Sequence, residues 1–205
     1  MNNTKLVIIT ILAILGVFLV GTVAFAAQPL SFATPPKKVA VFLEAPLTFI
    51  SNEKVRKDFP EKIKLKLEKI NCSILDFDEC QTALKTYRED NSLIVSPYYS
   101  DPLKRDDIQK IAQELKADYA IYIQVANNAP SANIGMFDVD FQTTITCDLK
   151  IVNIETGKYV LNKSIVKDGK STSGFFSYGS YDKAYNNALG KALDEIEFTY
   201  ETFTK

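Results

Sequence analysis

Histidine is absent from this chain, and so is tryptophan. Without an imidazole there is no Ser-His or Cys-His pair and no side chain that ordinarily titrates near neutral pH. Zinc sites of the Cys/His type are excluded with it. Only three cysteines remain, and none stands at C-x-x-C spacing. Three is also a low and odd count for a disulfide framework. Glycine is sparse, with eight residues, and none builds a phosphate loop. Gly174 and Gly179 flank aromatics, not a Lys-Ser/Thr pair. Excess charge of either sign is missing too. Lys and Arg total 24 against 25 Asp and Glu, a net charge of −1. That balance excludes the concentrated basic field a nucleic-acid surface needs. No cofactor is expected, and there is no internal repeat or low-complexity segment.

What the chain does have begins with one long hydrophobic run. Leu6 to Val23 is apolar apart from Thr10 and Thr22, with Lys5 before it and Ala24-Phe25-Ala26 after it. That is the pattern of an export signal cleaved between Ala26 and Ala27. A second reading stays open. The run approaches the roughly 20 residues that span a bilayer, so residues 6–26 could remain as a membrane anchor. No cysteine occupies a lipobox position. Either way the rest of the chain is expected outside the cytoplasmic membrane, periplasmic or secreted. The expected organisation is a targeting segment 1–27, a proline-containing linker 28–37, one α/β domain 38–199 and a tail 200–205.

The domain is organised around residues 108–125. Ile108, Ile111, Ala112 and Leu115 form the stripe of an amphipathic helix. After Lys116-Ala117-Asp118 the period changes to two, with Tyr119, Ile121, Ile123 and Val125 on one side of a central strand. Before it, Lys37 to Leu43 reads as an interior strand and Glu53 to Ile70 as a helix. Pro60 marks either a first-turn position or a break starting the main helix. Ser73 to Phe77 is a short strand, and Asp78 caps a helix to Asp90. After a polar loop at 127–135, Phe137 to Ile151 alternates strictly, with one dry and one wet face. Glu155-Thr156-Gly157 turns the chain into an antiparallel partner, Lys158 to Lys167. Asp168 to Gly179 is expected to be a loop, and Ser180 to cap a helix from Tyr181 to Phe198. The order β-α-β-α-α-β-β-β-α gives an α/β (α+β) fold. It is a two-layer sandwich on a mixed five-stranded sheet, with helices mainly on one face.

Three segments carry a family resemblance. Val39-Ala40-Val41-Phe42, then Ala112 to Ile121 with its Ala117-Asp118-Tyr119, and then Leu149 to Lys158 with Thr156-Gly157 resemble, in order, extracytoplasmic domains of the TolB N-terminal and CsgG-like kind. Ala188 to Ile196 is similar to their closing helix. The resemblance implies an envelope protein that works by binding or assembly, without a cofactor. The acylated cysteine of CsgG-type lipoproteins is missing.

Candidate chemistry is thin. Ser51 and Lys54 satisfy S-x-x-K spacing near a helix start, a match that chance readily supplies in a Lys-rich chain. Asp138 and Asp140, two apart on a strand, would project from one face roughly 7 Å apart, with Asp148 farther along. That arrangement suits a hard-cation or acid–base pair, or a solvated face that discourages edge pairing; the solvated face is the stronger reading. Cys72 and Cys80 are separated by an extended strand of about 17 Å, beyond disulfide reach, so three reduced thiols are expected. Phe175, Phe176 and Tyr178 between Gly174 and Gly179 have no strand or helix period to turn them inward. They are candidates for partner contact, as are Tyr98 and Tyr99. The expected function is a non-enzymatic envelope module contacting a protein or polymer, with no nucleic acid. Its membrane contact would come only through the N-terminal segment if that is retained. The alternative is an envelope enzyme using carboxylates or a Ser-Lys pair.

Overall fold

A computed structural model describes residues 35–46, 53–93, 100–175 and 177–203. The targeting segment, with Ala26 and Ala27, lies outside the described residues. Strand β1 (Lys37–Glu44) buries six successive residues from Val39 onward, as an interior strand must. It runs parallel to β2 (Cys72–Ile74) on one side and to β3 (Tyr119–Ile134) on the other. β4 (Val139–Asn153) and β5 (Lys158–Ser173) continue as an antiparallel meander, in the sheet order β2-β1-β3-β4-β5. The helices are α1 (Glu53–Glu68), α2 (Phe77–Asp90), α3 (Arg105–Glu114) and α4 (Tyr181–Glu195), followed by a 3-10 turn at Tyr200–Phe203. Element order, strand count and α+β class are those the sequence predicts.

The helices are shared between the faces, two to each, and are not gathered mainly on one. α1 and α4 pack on the face of Val41, Ile121, Cys147 and Ile165. α2 and α3 pack on the face of Phe42, Ala120 and Tyr122. Crossover handedness explains this. The chain steps from β1 to β2 in one direction and from β2 back past β1 to β3 in the other. Right-handed connections running in opposite directions leave their helices on opposite faces. The wet face of β4 is real, but it lies on the N-terminal side of Val152, the one β4 residue that the α2–α3 core takes in.

Other differences are local. α1 passes through Pro60 without a break. The N-cap of α2 is Asp76, whose carboxylate accepts from the Glu79 N–H at 2.8 Å; Asp78 instead pairs with Arg56 at 2.5 Å. β3 continues through the expected loop 127–135 because Asn127, Asn128, Ser131 and Asn133 pair with β4. A register shift between Asn128 and Ser131 accommodates Pro130, which a strand tolerates at a bulge. β5 likewise runs to Ser173, through residues expected to be loop. Phe137 and Asp138 precede β4 and lie outside it.

The helix-to-strand junction at Lys116–Asp118 is tight. Lys116 adopts a left-handed φ of 55°. The Ala117 N–H reaches back to Ala112 O at 3.0 Å, closing α3 as a Schellman-type end does. Asp118 then donates its N–H to Lys38 O at 2.8 Å and accepts from Lys38 N at 2.7 Å. That double link starts the β1–β3 register. Cys72, Cys80 and Cys147 are all free and buried.

Candidate interaction surface

β1 pairs with β3 only as far as Gln124. The next ten residues of β3, to Ile134, run past the end of β1, a length of about 33 Å. With β4 and β5 they form an arm. α4 stiffens it from one side. Gly169 lies so close to this helix that an added Cβ would meet Ala184 O at 1.8 Å. Asn187 Nδ2 donates to Lys170 O at 2.9 Å, and Lys191 Nζ to Asp168 O at 2.8 Å. At the start of α4 the Tyr181 ring meets Phe141 edge-on at 5.0 Å. Ser180 caps the helix, accepting from Lys183 N at 3.2 Å, as its sequence position predicts.

Beyond Phe141 and Tyr181 the arm ends in a cluster of uncovered apolar side chains. Ile134 is 83% exposed, Met136 88%, Phe137 68%, Phe175 79% and Tyr178 76%. The Phe137 and Phe175 rings lie 5.9 Å apart, joining the β3–β4 turn to the β5 end. Backbone bonds hold both turns. The Gly135 N–H donates to Asp138 O at 2.8 Å, and Gly174 and Ser177 exchange bonds at 2.9 and 3.3 Å. The returning chain crosses β5 at Gly179, where an added Cβ would meet the Thr172 carbonyl carbon at 2.4 Å. Lys183 Nζ sits 5.2 Å from the Tyr178 ring centroid and orients it. The tip is therefore apolar, exposed and backed by ordered hydrogen bonds.

Of the aromatic candidates, Phe175 and Tyr178 stand in this cluster. Phe176, Tyr98 and Tyr99 lie outside the described residues. Ile134, Met136 and Phe137 are contact candidates that sequence reasoning missed. Their signal was present: three large apolar residues around Gly135 between two strands, where a turn is normally polar.

The carboxylate candidates do not converge. Asp140 Oδ2 pairs with Lys170 at 2.7 Å, and its Oδ1 accepts from Thr172 Oγ1 at 2.6 Å. The Lys170 and Thr172 hydrogen bonds hold the Asp140 carboxyl below its ordinary value. Among the described residues no group of three or more Cys, Asp or Glu is placed to hold a metal ion. Ser51 lies outside the described residues, and Lys54 pairs with Asp58 at 2.5 Å.

No family model matches the chain. No curated protein matches it either. Among solved structures, the LpoB C-terminal domain from Salmonella enterica is 14% identical with a TM-score of 0.32, covering 66% of this chain and 85% of that one. The hypothetical protein CT253 from Chlamydia trachomatis is 13% identical with a TM-score of 0.38, over 78% and 93%. Lipoprotein GNA1162 from Neisseria meningitidis is 12% identical with a TM-score of 0.35, over 78% and 100%. At these values the functional argument rests on the chain's own residues, and the TolB and CsgG-like likeness stays a resemblance.

Proposed function

We propose that the chain is a non-enzymatic module of the cell envelope that acts by contacting an envelope protein, or an envelope polymer, through the tip of its arm. One observation carries this reading: five large apolar side chains gathered on two well-bonded turns and left in solvent. Clustered exposure of this kind is a feature of contact surfaces, and aromatic residues and methionine are enriched in them. The hydrophobic run ending in Ala24-Phe25-Ala26 supports an extracytoplasmic location. Nothing comparable supports the enzymatic alternative, since Asp140 and Lys54 are each engaged in ion pairs.

The test is site-specific photo-crosslinking in the native host. A photoreactive residue at Phe175 should give a discrete crosslinked species, and Phe137→Ser should remove it. The same probe at Lys64, on the exposed side of α1, should give none. Equal crosslinking at both positions, or none at 175, overturns the reading.

A further inference from the structure

At the carboxyl ends of β1 and β2 the two crossovers diverge, α1 to one face of the sheet and α2 to the other. Parallel strands whose connections part in this way leave a crevice beyond their carboxyl ends, where ligands commonly bind. Here that crevice is a cleft of about 610 Å³ between the first turn of α1 and the length of α2. Small-molecule sites run from about 300 to 1,000 Å³. Leu43, Val55, Phe77 and Leu84 give it apolar walls.

One polar group in its lining is left incomplete. Arg88 is only 3% exposed. Its Nε and Nη2 bind the two oxygens of Glu44, and Nη2 also donates to Asp101 O at 2.7 Å. Tyr122 OH donates to the same Glu44 carboxylate. Arg88 Nη1, by contrast, is buried with no hydrogen-bond partner among the described residues. A buried donor without an acceptor is costly, the more so on a charged group. A polar ligand atom would remove that cost.

Charge decides what kind of atom. Among the described residues the lining holds three cations, Arg56, Lys85 and Arg88, and three anions, Glu44, Asp78 and Glu89. They are mutually paired as Arg56–Asp78, Lys85–Glu89 and Arg88–Glu44. A carboxylate or phosphate entering this cleft would be an uncompensated charge beside Glu44, in a largely apolar site. A neutral carbonyl oxygen meets the need of Nη1 without that penalty. We propose that this cleft binds a small uncharged ligand with an apolar body and a carbonyl oxygen, amide or ester, that accepts a hydrogen bond from Arg88 Nη1. The site is separate from the arm tip and does not depend on its function.

Benzophenone is a suitable probe, being neutral, apolar and itself a ketone. On irradiation its excited carbonyl takes a hydrogen atom from a neighbouring C–H, and the two radicals join. With the full-length chain, peptide mapping should find saturable labelling at residues 43–46, 53–57 and 77–88. Any labelling of the apolar N-terminal run maps separately and serves as an internal reference. Thr82 lines the cleft and is exposed, so Thr82→Trp should fill the space without disturbing the core and abolish cleft labelling. Arg88→Lys keeps the charge opposite Glu44 but loses Nη1, and should weaken half-saturation about tenfold. 4-Benzoylbenzoate, with the same body plus a carboxylate, should label the cleft at least about tenfold less well, the discrimination expected of one uncompensated buried charge. Unsaturable labelling, or labelling unchanged by Thr82→Trp, overturns the site. Equal labelling by the carboxylate overturns the neutral-acceptor assignment.

Discussion

A single strand, β3, passes through two environments. From Tyr119 to Gln124 it lies between β1 and β4 with helices on both faces, and Ile121, Tyr122 and Ile123 are fully buried. Beyond Gln124 it loses β1, and it ends at Ile134 in open solvent. In the base, apolar side chains are spent on a core. At the tip they are left exposed, and the role proposed for them is contact with a partner. The two regions should therefore respond to substitution in opposite ways, the base in stability and the tip in association.

The largest effect belongs to the base. Phe42→Ala removes a fully buried ring from the α2–α3 face and should cost about 4 kcal/mol in urea unfolding. A loss near zero would dissolve the distinction between the halves. Next is the buried ion pair. Arg88→Ala leaves Glu44 unpaired, 5% exposed, and should cost about 3 kcal/mol, whereas Arg88→Met with Glu44→Leu should recover most of it. Gly169→Val tests whether the arm depends on α4. The close approach to Ala184 forces the helix to move, for a loss of about 2 kcal/mol.

The buried thiols give a smaller, pH-dependent effect. Burial raises Cys147 from 9.0 to about 12, and Cys72 and Cys80 to about 11. Below pH 9 the thiols are protonated in both folded and unfolded chains, so their contribution is intact. Above pH 9 the unfolded chain ionises first, and stability falls as pH rises toward 12. For Cys147 alone the slope should be roughly 1 kcal/mol per pH unit. Cys147→Ala should flatten the alkaline limb of a denaturation series. The smallest change in stability is expected at the tip. Phe175→Ser and Met136→Ser should each stay within about 0.5 kcal/mol of the parent while reducing partner crosslinking. A stability loss above 2 kcal/mol would place these side chains in the fold's own core.

Legibility followed the same division. β1, α3 and the start of β3 could be read directly, because burial on both faces or on one stripe imposes a pattern on consecutive residues. The ends of β3 and β5 could not. Asn127 to Asn133 and Asp168 to Ser173 are polar stretches held in strands by pairing with β4, a partner that local composition does not reveal. Phe137 was placed in the dry face of β4 because alternation continues into it, yet the chain turns first. Phe175 and Tyr178 stood out because no period claimed them, and both are exposed.

The sequence alone determined the order of elements, the mixed sheet and the Thr156-Gly157 turn, where Gly157 takes φ 64°. These depend on periodicity and on residues whose backbone preferences act locally. Tertiary structure decided how the helices divide between the faces, that Phe137 of one turn meets Phe175 of the other, and that Glu44, Arg88 and Tyr122 share one buried network. Each of these joins residues far apart in the chain. Their proximity follows from crossover direction and strand register, which a short window of sequence does not contain.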